Sequence, residues 1–203
     1  MKILQYAALS LLLLTGAGVA AADASQALLD LVKSRNLASE EIVKSPTEGE
    51  TPEEREQIKA IVGELFDFRS FSEISLGRYW KDRTDAEKDE FTDLCRQLIE
   101  RNYADPKLYK KAEAVVYDGA TVEGEKGEVK TIVSYKTEKS TIDYQLKRSG
   151  DDWLIYDMVI DDLSIARNNR SQFRREIRKS GYEGLVKKLK DKLAQEAEGD
   201  TSS

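Results

Sequence analysis

Apolar residues recur every three or four positions through the first half of the chain, which predicts a series of amphipathic helices. They form four groups: Leu28, Leu31 and Val32; Ile58, Ile61, Val62 and Leu65; the segment FRSFSEISL; and Phe91, Leu94, Cys95 and Leu98. Thr51 with Glu54, and Thr84 with Glu87, match the capping box, in which a threonine and a glutamate satisfy the first free amides of a helix. We therefore expect helices to begin just after Thr51 and Thr84.

The pattern changes to that of β-strands after Pro106. AEAVVYDGATV and GEVKTIVSYKT are rich in β-branched residues, and STIDYQLKRSGDDWLIYDMVI holds two strands around a Ser-Gly-Asp turn. In the first of these two strands Ile142, Tyr144 and Leu146 alternate with polar residues, which predicts one buried and one wetter face. The second strand is apolar except at Asp157, so we expect both of its faces to be buried. Simple alternation places Trp153, Ile155 and Val159 on one face and Leu154, Tyr156, Met158 and Ile160 on the other.

Helical spacing returns after Leu163, in SIARNNRSQFRREIRK and YEGLVKKLKDKLAQE, which Ser180-Gly181 separates. The order of helices, antiparallel sheet and helices predicts an α+β fold in which helices wrap a curved sheet. Such an arrangement can leave a cavity between the two layers, and cavities of this kind hold apolar ligands. We expect one domain over residues 23–195, followed by a flexible acidic tail at 196–203.

Residues 1–22 have the features of a secretory signal peptide. Lys2 provides a positive start, ALSLLLLTGAGVA an apolar stretch, and Ala20-Ala21-Ala22 the small residues before a cleavage point. A membrane anchor is the alternative, but the apolar run is shorter than the roughly 20 residues of a spanning helix. We therefore expect an exported protein whose mature chain begins at Asp23 or Ser25.

Composition removes several kinds of chemistry. The chain has no histidine, which excludes Ser-His and Cys-His dyads and the commonest zinc ligand. Cys95 is the only cysteine, so no intramolecular disulfide can form, and its place on an amphipathic helix predicts a buried thiol. The net charge of −6 and the lack of a basic motif with interleaved aromatic residues argue against nucleic-acid binding.

Charge is unevenly distributed along the chain. Residues 23–163 contain 21 basic and 32 acidic residues, whereas residues 164–192 contain 10 basic and 3 acidic ones, a net charge of +7. A block of this kind can contact phosphate groups, an acidic partner or a membrane face, or can be no more than a solvated helix face. Arg167, Arg170 and Arg174 are spaced to share one side of a helix.

Three short motifs, in order along the chain, carry a resemblance to a known family. They are LGRYW at 76–80, W-x-x-YD-x-x-I at 153–160 and S-x-x-x-N-x-R-x-QF at 164–173. With the segments around them the chain resembles the Mla-type periplasmic phospholipid carriers, also called toluene-tolerance or auxiliary transport proteins, from about Ser25 to Leu193. Asn169 departs from the pattern, since tyrosine is common there in the family.

This resemblance implies a soluble carrier that is not an enzyme and uses no cofactor. Its cargo would be a glycerophospholipid, moved between an inner-membrane ABC transporter complex with an MCE-type subunit and an outer-membrane lipoprotein–porin complex. The fold implied is a nuclear-transport-factor-like sheet wrapped by helices, with the acyl tails between the two layers.

The candidate site residues follow from the strand pattern and the basic block. We predict that seven residues line the cavity and contact the tails: Val133, Tyr135, Tyr144, Leu146, Tyr156, Met158 and Ile160. Methionine adapts to tails of different shape, and a tyrosine hydroxyl can lie near a glycerol ester. Arg167, Arg170 and Arg174 are the candidates for partner docking or for head-group contact. No catalytic or metal-binding residue is predicted.

Acidic residues near the end of the sheet support one alternative. Asp161 and Asp162 are adjacent and are expected to serve in a turn or as a helix N-cap. Asp157 needs a partner in an apolar strand, and Arg167 or Arg170 could join it there to the following helix. The alternative function is a small enzyme on the same cone-shaped fold, with Asp157 or Asp143 as base and a tyrosine as donor. A chaperone or adaptor with a dry core is a third possibility.

Overall fold

A computed structural model describes residues 15–44 and 50–200 of the 203-residue chain. The helices are α1 (Thr15–Ile42), α2 (Pro52–Leu65), α3 (Phe68–Leu76), a 3₁₀ helix (Gly77–Asp82), α4 (Asp85–Tyr103), α5 (Pro106–Lys111) and α6 (Ile165–Asp200). The strands are β1 (Ala114–Glu123), β2 (Lys126–Ser134), β3 (Lys139–Ser149), β4 (Asp152–Ile160) and β5 (Leu163–Ser164). The predicted signal peptide and the predicted tail fall partly outside the described residues, at 1–14 and 201–203, and both stay predictions.

Local signals in the sequence set the helix boundaries. Thr51 and Thr84 form the two predicted capping boxes: each hydroxyl accepts the backbone N–H three residues on, at 3.1 and 3.2 Å, and the glutamate there accepts the threonine N–H. Asp67 caps α3 by accepting the Ser70 N–H at 2.8 Å. At Gly181 a φ of 76° interrupts α6, so the two predicted helices are present with a kink between them.

The five strands form one antiparallel sheet in the order β1-β2-β3-β4-β5. Two of them carry an extra residue that has no partner opposite: Asp118 in β1 and Tyr156 in β4. Such bulges bend a strand and increase its twist, which contributes to the curvature of this sheet. The prediction of an α+β fold with helices around a curved antiparallel sheet is confirmed.

The core lies between the inner face of the sheet and the helices. Leu28 of α1 packs against the sheet so closely that a Cβ at Gly127 would lie 2.4 Å from it. On the other side of the core, the Phe91 ring of α4 meets the Phe173 ring of α6 edge to face, with centroids 5.7 Å apart. Cys95 is buried as predicted, and burial raises the pKa of its thiol to about 12, which keeps it uncharged and unreactive.

The three motifs that carry the family resemblance meet where α3, β4 and α6 join. Gly77 in the first motif has a φ of 59°, and a Cβ there would lie 2.5 Å from the Nε of Arg170 in the third. Asp157 of the second motif accepts a hydrogen bond from the Ser164 hydroxyl of the third at 2.5 Å. Contacts between the three motifs therefore join α3, β4 and α6 to one another.

Candidate functional site

An apolar cavity of about 150 Å³ lies between the inner face of the sheet and four helices. The strands contribute Val115, Val133, Ile142, Tyr144, Ile155, Met158 and Ile160, and the connection between β2 and β3 contributes Tyr135. The helices contribute mainly apolar residues of α2, α4 and α5: Ile61, Val62, Leu65, Ile99, Tyr103, Leu108 and Tyr109. α1 covers the cavity with Arg35, Asn36, Ser39 and Glu40.

The cavity exists because the inward face of α1 changes character along its length. Leu28 and Val32 lie on the buried side of the helix and fill the space over one end of the sheet. The same side continues to Ser39, which is also buried but is much smaller. Its hydroxyl donates to the Arg35 carbonyl within the helix at 3.1 Å and also hydrogen-bonds to the Tyr109 phenol in the cavity wall. Open space remains where a larger apolar side chain would have filled it.

The polar atoms of the cavity wall are largely uncharged. Tyr109, Tyr135 and Tyr144 each place a phenol in the wall, and burial raises the pKa of all three, so they stay protonated at neutral pH. A protonated phenol donates one hydrogen bond and presents an apolar ring. The Tyr109 hydroxyl already donates to the Tyr103 carbonyl at 3.4 Å, and Tyr144 hydrogen-bonds to Asn36. The wall can thus accept a hydrocarbon chain and offer the Tyr135 hydroxyl to an ester oxygen.

Two charged side chains border the cavity, both from α1. Arg35 forms a 3.0 Å ion pair with Glu64 of α2, which joins the two helices across the cavity edge. Both partners are substantially exposed, so this pair has a small effect on stability. The second, Glu40, is half-buried. No charge therefore stands deep in the apolar space, where it would be costly without a partner.

Five of the seven predicted tail-contacting residues line the cavity together: Val133, Tyr135, Tyr144, Met158 and Ile160. Leu146 and Tyr156 do not line it. Leu146 is on the predicted face but lies under Leu28 in the filled part of the core, where it is fully buried. Tyr156 is the extra residue of the β4 bulge. Asp157 on one side of it pairs with Gln145, and Ile155 on the other side pairs with Leu146, so Tyr156 has no partner on β3.

The bulge also corrects the predicted faces of β4. Simple alternation separates Ile155 from Met158 and Ile160, but all three point into the cavity. One extra residue reverses the side-chain alternation beyond it, so positions three apart share a face across a bulge. A bulge leaves no mark in a strand that is apolar on both sides, so the sequence pattern could not reveal it.

Asp157 joins β4 to α6 as predicted, but its partner is not an arginine. The buried carboxylate accepts from the Ser164 hydroxyl at 2.5 Å and from the Ala166 N–H at 3.0 Å. Since the helix N-terminus already supplies donors, the negative charge needs no guanidinium. Ser164 also accepts from the Arg167 N–H at 3.1 Å and so takes the N-cap role expected of Asp161 or Asp162.

Asp161 and Asp162 form the predicted turn. Both have positive φ, 47° and 65°, in the two-residue connection between β4 and β5. The Asp161 carboxylate accepts the Thr141 N–H at 2.8 Å, which fixes the turn to β3. Neither Asp157 nor Asp143, the candidate bases of the enzyme hypothesis, lines the cavity. No carboxylate–tyrosine pair in the described cavity wall supports that alternative.

The predicted arginines lie on an exposed face of α6 and do not line the apolar cavity. Among the described residues Arg167, Arg170 and Arg174 make no ion pair, whereas Lys188 and Lys190 pair with Glu176 and Glu90. The unpaired positive charge of the basic block is thus concentrated in the first half of α6. Arg170 additionally packs over Gly77.

The sequence pattern missed the helical part of the wall. Ile61, Val62 and Leu65 were predicted as an ordinary packing stripe of α2, and the α1 residues were not singled out. One signal was available: the apolar stripe of α1 ends at Val32, while the helix continues to Ile42. A helix whose inward face turns polar and small has either ended its contact with the core or reached an open space.

The described part of the chain contains no group of three or more histidine, cysteine, aspartate or glutamate side chains placed to hold a metal ion. None of its helices is both long enough and apolar enough to cross a membrane.

The fold and the site define a class: a curved antiparallel sheet wrapped by helices, with an apolar cavity between the layers. The family model for MlaC protein matches residues 37–191, and the chain belongs to this family. A solved structure with the same fold is the phospholipid-binding protein from Ralstonia solanacearum in complex with a phospholipid. It has a TM-score of 0.71 and 24% sequence identity, and the match covers 83% of this chain and 98% of that chain. No curated protein matches the chain significantly.

Proposed function

We propose that the protein is a soluble periplasmic phospholipid carrier that holds the acyl tails of its cargo in the apolar cavity. The observation that carries this proposal is the cavity itself, with its apolar wall, its protonated phenols and no buried charge. Membership of the MlaC family and the phospholipid bound to the Ralstonia solanacearum protein support it. The carrier would move a glycerophospholipid between an inner-membrane MCE-type ABC transporter complex and an outer-membrane lipoprotein–porin complex.

The energetics of acyl chains determine how such a carrier must release its cargo. Each buried methylene contributes about 0.8 kcal/mol, so roughly 30 methylenes give a gross transfer free energy of about 24 kcal/mol. Binding costs reduce the net value, and non-covalent affinity saturates near roughly 18–21 kcal/mol. Release into water would still be far too slow for transport. The tails must therefore leave against an apolar surface of a partner.

Native mass spectrometry of protein purified without added lipid tests the proposal. We expect an adduct with the mass of a glycerophospholipid that is removed by organic extraction. An adaptor with a dry core would show no adduct and would take up none from phospholipid vesicles, which would contradict the carrier function.

Export is a separate part of the proposal. The mature protein should begin at Asp23 or Ser25 and be recovered in the periplasmic fraction, because residues 1–22 have the composition of a signal peptide. N-terminal sequencing of the purified protein measures this. Recovery of residues 1–22 on a membrane-bound form would contradict it.

The unpaired arginines of α6 are the proposed docking surface for an acidic partner. Charge on a docking surface affects the association rate more than the lifetime of a complex, and the effect weakens with salt. Reversal of Arg167 and Arg174 to glutamate should slow lipid transfer to a partner complex while the amount of bound lipid stays the same. Lys187 and Lys190 provide a matched control, since both are already paired with acidic side chains.

Thermal melting separates docking from a structural role for these arginines. Unchanged melting with slower transfer supports docking. A large drop in melting temperature would indicate that the arginines hold the fold, and parental melting with parental transfer would make them a solvated face.

A further inference from the structure

The apolar cavity has the volume of a site for a small ligand. It measures about 150 Å³, whereas pockets for drug-sized ligands measure about 300–1,000 Å³. In another protein, a cavity of about 150 Å³ lined by leucine, isoleucine and phenylalanine stays dry and binds benzene. At this spacing of sheet and helices the volume therefore matches one small ring, and two acyl tails fit only when the layers move apart.

The polar groups of the cavity wall offer little to a water molecule. A buried water normally makes two to four hydrogen bonds to polar groups that have no other partner. The Tyr109 hydroxyl already donates to the Tyr103 carbonyl at 3.4 Å, and Tyr144 hydrogen-bonds to Asn36. None of the described residues with an unpartnered buried side-chain polar atom lines the cavity; they are Ser72, Ser75, Arg83, Thr92 and Tyr117. The space therefore favours an apolar ligand over water.

The side chains of the wall favour an aromatic ligand over an aliphatic one. Five of the described wall residues carry rings: Phe66, Tyr103, Tyr109, Tyr135 and Tyr144. The face and the edge of an aromatic ring carry opposite partial charges, so a second ring gains more from packing against them than its buried area alone provides. Met158 adds a thioether, and sulfur makes favourable contacts with ring edges at about 5 Å.

The charges at the cavity border determine the charge of such a ligand. Arg35 is already paired with Glu64 at 3.0 Å, and Glu40 is half-buried at the edge of the wall. A carboxylate or ammonium group among the apolar side chains would have no partner, which is costly. The ligand class that fits is a neutral aromatic hydrocarbon.

We propose that the protein binds one small aromatic hydrocarbon, of the size of benzene, in the apolar cavity. The ring lies among the wall tyrosines and beside the methyl group of Met158. This binding goes beyond the proposed carrier function and does not depend on it. Because the ring and the acyl tails need the same space, each excludes the other.

The methionine content of the chain allows a direct test with benzene as the probe. Met1 and Met158 are the only methionines, so ¹³C labelling of methionine methyl groups gives a single signal from the cavity wall. A bound aromatic ring shifts the resonances of nearby nuclei by its ring current. In a titration of delipidated protein with benzene, we expect the Met158 signal to move and to saturate at one equivalent. Cyclohexane is the matched ligand without a π system and should bind about two to ten times more weakly.

Thermal melting provides an independent measure and allows variants to be compared. A ligand that binds only the folded state raises the melting temperature, by about 3–6 °C at ten times its Kd for a chain of this size. Ser39→Leu and Val133→Trp fill the cavity from α1 and from the sheet, so both should lose the methyl shift and the rise in melting temperature. Ser34→Leu on the exposed side of α1 should retain both.

Three results would overturn the proposal. An unmoved Met158 signal with unchanged melting would mean that benzene does not bind. A response that persists in folded Ser39→Leu and Val133→Trp would place the ring outside the cavity. Full benzene binding by protein whose phospholipid occupancy, measured by native mass spectrometry, stays complete would show that ring and tails do not share the space. If the protein never carries phospholipid, the carrier function fails, while the benzene titration still decides this proposal.

Discussion

The two ends of the inner sheet face have the same sequence pattern but different contents. At one end Gly127, Val129 and Leu146 lie under Leu28 and Val32 of α1 in a tightly packed core. At the other end Val133, Ile142 and Ile160 face open space. Strand alternation determined which side chains point inward at both ends. The helix residues that cover these side chains determined which end became a packed core and which became a cavity.

The difference shows how a small change in one helix creates a cavity. Interiors are normally close-packed, and an unfilled volume costs about 24 cal/mol per Å³. This unfavourable empty volume persists because α1 places the small Ser39 where a large apolar side chain would have completed the core. We infer that the space is kept for a ligand. Substitutions can fill the hollow end of the sheet face or open the filled end independently of each other.

The largest effect is expected from filling or charging the hollow end. Val133→Trp or Tyr144→Glu should remove nearly all bound lipid, because bulk occupies the cavity and a carboxylate is very costly next to acyl chains. Ile132→Trp is the matched control, since Ile132 immediately precedes Val133 in β2 and faces the other side of the sheet. Native mass spectrometry measures occupancy and circular dichroism the fold. Folded variants with full lipid would place the tails elsewhere.

At the filled end the expected effect is on stability. Leu146→Ala should cost about 2–5 kcal/mol of unfolding free energy, a drop of roughly 4–20 °C in melting temperature, because a fully buried side chain leaves a hole. Ile142→Ala, in the wall of the existing cavity, should cost less. Melting of delipidated protein measures both. Equal drops for the two variants would mean that the ends do not differ in packing.

Ser39→Leu should make the hollow end resemble the filled one. The added side chain points into the cavity, so lipid occupancy should fall while the delipidated protein melts at the same or a higher temperature. Ser34→Leu on the exposed side of α1 should change neither quantity. A lower melting temperature for Ser39→Leu with unchanged lipid would show that the cavity cannot accept the leucine.

The smallest effect is expected from the ion pair between Lys147 and Asp67, which lies at the filled end of the sheet. Lys147 of β3 contacts the Asp67 carboxylate at 2.8 Å. Burial raises the pKa of Asp67, but hydrogen bonds from Lys147 and Ser70 outweigh burial and hold the pKa below its usual value. Asp67→Ala should cost about 1 kcal/mol at pH 7, the typical value for an N-cap.

The pH dependence of this cost has a definite sign. A lowered carboxyl pKa stabilises the fold above the pKa of the unfolded chain, and this contribution is lost as pH falls through the pKa of the folded state. The difference in melting temperature between the parent and Asp67→Ala should therefore be constant near neutral pH and shrink below about pH 4. Asp151→Ala in the exposed β3–β4 turn is the control. A difference that grows on acidification would contradict the assigned role of Asp67.

Sequence by itself determined what depends on residues close together in the chain. The capping boxes at Thr51 and Thr84, the turn at Asp161 and Asp162 and the inward face of β3 were all predicted, because helix caps, turns and strand alternation are local. The fold class followed from the order of these elements. Five of the seven predicted wall residues line the cavity because alternation identifies a face correctly as long as no bulge intervenes.

Only the tertiary structure decided what depends on contacts between distant segments. The bulge at Tyr156 reversed the faces of β4, and the Ser164 hydroxyl and Ala166 N–H took the place of an arginine beside Asp157. Leu146 and Tyr144 are two positions apart on one face, yet Leu146 is in the core and Tyr144 in the cavity. Periodicity reports which way a side chain points, whereas an empty volume is a property of all the surfaces around it. Those surfaces come from α1, α2, α4 and α5, and they meet the sheet only when the chain has folded.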